Sequence, residues 1–166
     1  ATEVRRRVLD FEPANVPVRE GLARLLASLG QYERALVEWQ IVRKLDPGHL
    51  GVDLALGEVE MNLGRLAEAR ISLLRAHERC SDQPGPLGAD PVELSRLANL
   101  LLQVDLSTEA VELMETACEA SPEDLELLRL MARSRFRAND IRGGMMTSRR
   151  VLRQNPGCTI SMHNLA

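Results

Sequence analysis

The stretch Val16–His49, VPVREGLARLLASLGQYERALVEWQIVRKLDPGH, decides the fold of this chain. Apolar residues recur in it at helical spacing in two runs, which are Leu22, Leu25, Leu26 and Leu29, and then Leu36, Trp39 and Val42. Gly30 lies between the runs and can leave a helix in a left-handed conformation. Pro47 ends the second run, because proline lacks the amide donor that a helix needs. The stretch therefore predicts a helical hairpin.

The hairpin recurs along the chain with a period of 34 residues. The repeat windows are 16–49, 50–82, 91–124 and 125–158. Three windows and the segment before them close on a proline, namely Pro13, Pro47, Pro122 and Pro156, whereas the second window has Ser81. The break between the paired helices falls at residues that tolerate a left-handed conformation, which are Gly30, Gly64, Asp105 and Asn139.

Small residues occupy three equivalent columns of the repeat, where paired helices must approach closely. These columns are Ala23, Gly57, Ala98 and Ala132; Ala35, Ala69, Ala110 and Gly144; and Val42, Ala76, Ala117 and Val151. Ten of the twelve residues are alanine or glycine. Close helix packing requires small side chains at the contact, so the columns predict tightly packed helix pairs.

Large apolar residues occupy the complementary columns, with Leu22, Leu56, Leu97 and Met131 in the first helices and Trp39, Leu73 and Met114 in the second. With these columns the chain resembles the tetratricopeptide repeat family over nearly its whole length. The resemblance implies an all-α fold, a right-handed superhelical solenoid of antiparallel helix pairs. Ser148 departs from the family pattern, which has a large apolar residue there, and Gly144 weakens the same helix.

The sequence predicts one repeat array over residues 1–166. Residues 1–15 are interpreted as the end of a preceding repeat, 83–90 as an inserted loop rich in Pro and Gly, and 159–166 as the start of a further repeat. Helices are expected near 16–29, 32–45, 50–63, 66–80, 91–104, 107–120, 125–138 and 141–154. Ends of this kind leave apolar faces uncovered, so we interpret the chain as a piece of a longer array that could self-associate through its open ends.

Composition narrows the classes of function. A net charge of −3 with 45% hydrophobic residues is that of an ordinary soluble chain, and no apolar run is long enough to span a membrane. The acidic balance and the scarcity of aromatic residues argue against nucleic-acid binding. Cys80, Cys118 and Cys158 are far apart and lack the spacing of a metal site. Unpaired cysteines fit a reducing compartment, which slightly favours the cytoplasm.

No constellation of residues predicts catalysis or a bound cofactor. The chain has no nucleophile elbow, no Gly-rich phosphate loop after a strand, and no evident strand. His49, His77 and His163 are interpreted as surface or junction residues, since none shares a helix face with a second metal ligand. We therefore predict that this chain is not an enzyme and holds no metal.

The resemblance also implies where a ligand binds. In tetratricopeptide arrays the first helices of successive repeats line a concave groove that holds a peptide. Carried onto this sequence, the groove is expected to be lined by Arg24, Glu58, Asn62, Arg96, Asn99, Gln103, Arg129, Arg133 and Arg137. Glu20 stands where the family's clamp for a C-terminal carboxylate has its first lysine, so binding of chaperone tails is not expected.

Three of these arginines, Arg129, Arg133 and Arg137, are spaced by four and share one helix face. Like charges at that spacing destabilise a helix by about 0.2–0.5 kcal/mol per pair. The stripe is either solvated surface in an arginine-rich chain or a site for an acidic segment.

The leading hypothesis is a protein interaction scaffold that holds a peptide of a partner. A regulatory or substrate-docking arm of a larger enzyme and a self-assembling structural repeat are the alternatives.

Overall fold

The computed structural model describes residues 5, 10, 12–49, 51–82 and 91–165. Within these ranges the chain is helical and has no strand. Its helices are α1 Val16–Ser28, α2 Tyr32–Leu45, α3 Val52–Asn62, α4 Leu66–Asp82, α5 Pro91–Gln103, α6 Ser107–Ala120, α7 Leu125–Arg137, α8 Ile141–Gln154 and α9 Thr159–His163. The predicted loop at 83–90, most of the predicted half-repeat at 1–15, Leu50 and Ala166 lie outside the described residues.

The helices begin and end within two residues of the predicted bounds. Two differences reach two residues: α3 begins at Val52 and not at residue 50, and α4, which was predicted to stop at residue 80, continues to Asp82. The second of these has a local cause. Ser81 explains the difference, because it stands where three other repeats have a proline and it keeps its backbone N–H. The repeat boundaries themselves remain a prediction.

A left-handed residue separates the two helices of each pair, as predicted. The backbone angle φ is +72° at Gly30, +71° at Gly64, +59° at Asp105 and +63° at Asn139. The residue that follows each of them donates its N–H to a carbonyl five positions back, at 2.8–2.9 Å, for example Gln31 to Leu26 and Asp140 to Arg135. This is the bond that closes a helix with a left-handed residue. The same local turn therefore connects every described helix pair.

The chain forms two compact units, Ala1–Ala76 and His77–Ala166. All twelve residues of the small-residue columns are buried. A Cβ atom built on Gly57 would lie 2.6 Å from Leu73 Cδ2, and one built on Gly144 would lie 2.9 Å from the ring of Phe136. Real Cβ atoms do not approach other atoms so closely. Both helix pairs are therefore packed in a way that suits glycine, which has no side chain, at these two positions.

Polar groups are also buried in the first unit, and one of them gives a prediction about pH. Ser72 donates a 2.7 Å hydrogen bond to the Glu60 carboxylate. Burial raises the pKa of Glu60 above the ordinary value of 4.5, while Ser72 and Arg43 lower it by less. The Glu60 carboxyl group therefore stays protonated to a higher pH in the folded state than in the unfolded state. The stability contributed by Glu60 must therefore fall as pH rises above 4.5.

The substitution Glu60→Gln should raise the stability of the first unit at neutral pH, because it removes the cost of a buried charge and keeps an acceptor for Ser72. It should also flatten the decline of stability with pH. Urea unfolding at several pH values between 4 and 8 would measure both effects. The matched control is Glu33→Gln, at an exposed position of α2 in the first unit. Parallel curves for wild type and Glu60→Gln would contradict the prediction.

Candidate functional site

The arginine stripe predicted from the sequence lies on α7, in the second unit. Asp124 fixes the start of this helix, because its carboxylate accepts hydrogen bonds from the N–H groups of Glu126 and Leu127. The helix then runs without interruption to the left-handed turn at Asn139. Residues four apart on such a helix point the same way, so the register brings the three arginine side chains to one face.

Each arginine of the stripe has a partner within the chain. Arg129 forms an ion pair with Glu126, and Arg133 donates a hydrogen bond to the side-chain oxygen of Asn99. Arg137 donates to the carboxylate of Asp105 at 2.9 Å and to the carbonyl of Leu102 at 3.0 Å. The repulsion between neighbouring arginines is thus offset by two carboxylates. Arg133 is the member whose partner carries no charge.

Cys158, just before α9, approaches Arg129. Its thiol is buried and lies 3.3 Å from the hydroxyl of Ser161. Hydrogen bonds with Ser161 lower the pKa of Cys158 below its ordinary value, and the positive charge of Arg129 lowers it further against the opposing effect of burial. The same contact, together with Glu126, raises the pKa of Arg129. The Arg129 guanidinium of α7 therefore lies close enough to influence the thiol at the start of α9.

The helices α5, α7 and α9 enclose a groove of about 640 Å³, which we name the α7 groove. It is lined by Ser95, Asn99, Glu126, Arg129, Leu130, Arg133, Phe136, Arg137, Ile160 and Asn164. Leu130, Phe136 and Ile160 supply an apolar surface, and Ile160 is 65% exposed. The three arginines border this surface. Such a groove can bind a segment that combines apolar and anionic groups.

The structure brings together part of the predicted site. Asn99, Arg129, Arg133 and Arg137 line the α7 groove, whereas Arg96 and Gln103 are exposed elsewhere on α5. The other predicted residues, Arg24, Glu58 and Asn62, lie on α1 and α3 of the first unit. Arg24 pairs with Glu20 at 2.5 Å and lies 6.0 Å from the centre of the Trp39 ring. Ligand binding at all nine positions remains a prediction.

Six residues of the groove were missed by reasoning from the sequence, namely Ser95, Glu126, Leu130, Phe136, Ile160 and Asn164. Once Glu126 and Leu130 are known to line the groove, the repeat period identifies two more of them. Ile160 and Asn164 follow Glu126 and Leu130 by 34 positions, just as Arg133 follows Asn99. Adding 34 to the positions of these α7 residues therefore gives the residues that α9 and the turn after it add to the groove.

The described residues show neither a metal site nor a membrane-spanning helix. Within the described ranges, no group of three or more His, Cys, Asp or Glu residues is placed to hold a metal ion. His49 lies 3.3 Å from the carboxylate of Glu20, and His77 lies 3.4 Å from that of Glu112. No helix in the described ranges has both the length and the apolar content needed to cross a membrane.

Comparisons with known proteins agree with this architecture. Residues 20–84 match the family model described as tetratricopeptide repeat. The solved structure of YrrB, described as a TPR protein with an unusual peptide-binding site, superimposes with a TM-score of 0.76 at 18% identity, over 99% of this chain and 81% of that one. No curated protein sequence is significantly similar to this chain.

Two further structures have the same fold. MamA from Desulfovibrio magneticus RS-1 gives a TM-score of 0.69 at 18% identity, over 95% of this chain and 85% of that one. Pseudomonas aeruginosa pilF gives 0.66 at 18% identity, over 97% and 70%. These likenesses confirm the predicted fold class, an all-helical repeat solenoid.

Proposed function

We propose that this protein is a non-catalytic scaffold. The premise is that residues 20–84 match the tetratricopeptide repeat family and that the chain has the fold of such solenoids. In this proposal it binds a peptide segment of a partner protein in the α7 groove. The observation that carries the proposal is the composition of the groove, in which three arginines border an apolar surface. YrrB, with its peptide-binding site, supports a role of the same kind.

The partners of the arginines define the peptide more closely. Arg129 and Arg137 already contact carboxylates of this chain, so a ligand would have to compete with Glu126 and Asp105. Among the described residues, Arg133 hydrogen-bonds only to an amide oxygen, and its charge is uncompensated at that contact. A hydrogen bond between charged groups contributes about 1.5–3 kcal/mol. The proposed ligand therefore places one acidic side chain at Arg133.

The apolar surface defines the neighbouring residue of the ligand. Leu130 and Phe136 belong to α7, and Ile160 belongs to α9, so a side chain between these helices would contact apolar groups on two sides. Burial of a leucine-sized side chain contributes about 1.5–3 kcal/mol. We therefore expect an acidic residue close to a large apolar residue in the bound segment.

The test is binding of a labelled 12-residue peptide that contains adjacent Asp and Leu residues, compared with peptides in which Asp becomes Asn or Leu becomes Ser. Both replacements should weaken binding. Arg133→Gln should weaken binding of the parent peptide by about tenfold, which corresponds to about 1.4 kcal/mol. The loss should shrink as salt is raised from 0.02 to 0.5 M, because exposed charges are screened.

The matched control is Arg34→Gln, because Arg34 is also an exposed arginine hydrogen-bonded to a side-chain amide, that of Gln31 at 2.7 Å. It lies in the first unit, outside the α7 groove, and its loss should leave affinity unchanged. Equal affinities of wild type and Arg133→Gln at both salt concentrations would show that the arginine stripe is a solvated helix face.

A further inference from the structure

The outer face of α8 carries positive charge that the α7 groove does not use. This helix, IRGGMMTSRRVLRQ, contains four arginines and no acidic residue. Arg142, Arg149 and Arg153 are spaced by seven and four, so they share one face, and all three are exposed. In the part of the chain that the structure describes they make no ion pair or side-chain hydrogen bond. Met146 lies beside them and is 69% exposed. We name Arg142, Met146, Arg149 and Arg153 the α8 stripe.

The outer face of α6 has the opposite charge. This helix, STEAVELMETACEA, contains four glutamates and no basic residue. Glu112, Glu115 and Glu119 share one exposed face, which we name the α6 stripe. Glu115 pairs with Arg135 at 3.0 Å, and Glu112 lies 3.4 Å from His77. Glu119 has no partner among the described residues.

The helices that carry the two stripes flank one cleft. A cleft of about 450 Å³ separates α6 from α8, with Glu115 and Glu119 on one wall, Met146 and Arg150 on the other, and residues of α7 such as Leu128 between them. The stripes also correspond in register, because Arg149 and Arg153 follow Glu115 and Glu119 by one period of 34 residues. The surface is therefore acidic on one side of the cleft and basic on the other.

Such a surface is complementary to itself. In a dimer with two-fold symmetry the same patch of both copies meets, so each contact occurs twice. A two-fold axis along the cleft would lay the α8 stripe of each copy over the α6 stripe of the other. We propose that this outer face of the second unit is a homodimer interface held by these paired stripes.

A second copy fits this surface better than an anionic ligand does. A lipid headgroup surface or an acidic protein segment would be attracted by Arg142, Arg149 and Arg153. The same ligand would be repelled by Glu115 and Glu119 across the cleft, because like charges in apposition disfavour binding. A second copy of this chain presents its acidic stripe to the basic stripe and its basic stripe to the acidic stripe. The interface is separate from the α7 groove, so it adds to the proposed function and does not depend on it.

The expected dimer is weak and sensitive to salt. Exposed ion pairs contribute about 0–1 kcal/mol each and are screened at high ionic strength. Sedimentation equilibrium of the full chain, at protein concentrations from 0.01 to 1 mM, should therefore show dimers in 0.02 M salt and mostly monomers in 0.5 M salt.

Charge reversal gives the decisive experiment. One variant combines Arg149→Glu with Arg153→Glu, and a second combines Glu112→Arg with Glu119→Arg, which leaves the pair between Glu115 and Arg135 intact. Each variant alone should dimerise at least tenfold more weakly than wild type, because both stripes then carry the same charge. An equimolar mixture of the two should dimerise about as well as wild type, because opposite charges face each other again.

The positions are exposed, and circular dichroism of each variant should match wild type. The milder Arg149→Gln, expected to weaken dimerisation about threefold, serves if a double variant fails to fold.

A chain that stays monomeric to 1 mM at low salt would overturn the proposal. So would variants that dimerise like wild type, or a mixture that does not recover. Binding to phosphatidylserine vesicles by a monomeric chain would assign the α8 stripe to a membrane surface.

Discussion

Replacing Trp39 by alanine is expected to lower the free energy of unfolding of the first unit by about 3–5 kcal/mol. The side chain is 2% exposed and belongs to a core cluster with Leu22, Leu26 and Leu36. Its loss leaves a cavity that the surrounding helices cannot fill completely. Domains of this size are stable by only about 5–15 kcal/mol, so this single change removes a large part of the stability.

Hydrogen exchange of the backbone amides in α1, α2 and α3 measures this loss directly. The amides of the Trp39→Ala variant should exchange faster by about two to three and a half orders of magnitude, which corresponds to about 3–5 kcal/mol. The matched control is Val37→Ala in the same helix, where the side chain is 53% exposed and the change should be within about 0.5 kcal/mol. Similar exchange rates in both variants would mean that Trp39 does not anchor this core.

The second large effect is expected from Ala110→Leu, which should destabilise the second unit by about 1–3 kcal/mol through overpacking. Ala110 is fully buried in α6, in one of the three small-residue columns. A leucine there would force the paired helix away, because the interior has no free volume of that size.

The matched control for Ala110→Leu is Ala120→Leu, at an exposed position in the same helix, where added methyl groups reach solvent. Urea unfolding followed by far-ultraviolet circular dichroism would compare both variants with wild type. A cost of less than about 0.3 kcal/mol for Ala110→Leu would show that the assigned register of the repeat is wrong.

Local features of this fold could be predicted from the sequence because they depend on nearby residues. The left-handed turns follow from the conformational freedom of glycine and from the tolerance of Asp105 and Asn139 for positive φ. Burial of the small-residue columns follows from helical spacing repeated at a constant period. The end of α4 was placed too early, although Ser81 already indicated that no proline stops this helix.

The candidate site could be predicted only in part. Helical spacing places Arg129, Arg133 and Arg137 on one face, but it does not say which groups their side chains contact. Those contacts join different elements, such as Arg133 with Asn99 and Arg137 with Asp105, and depend on how the helices pack. The apolar surface of the groove was missed for the same reason, since it combines residues of α7 and α9.

The position of Trp39 has a practical consequence for spectroscopy. The chain has one tryptophan and one tyrosine, Trp39 and Tyr32, and both belong to the first unit. Intrinsic fluorescence therefore reports unfolding of that unit alone, whereas ellipticity reports the helices of both. Coincident transitions by the two signals would identify a single cooperative unfolding event. A later change in ellipticity would give the stability of the second unit separately, without a label or an added chromophore.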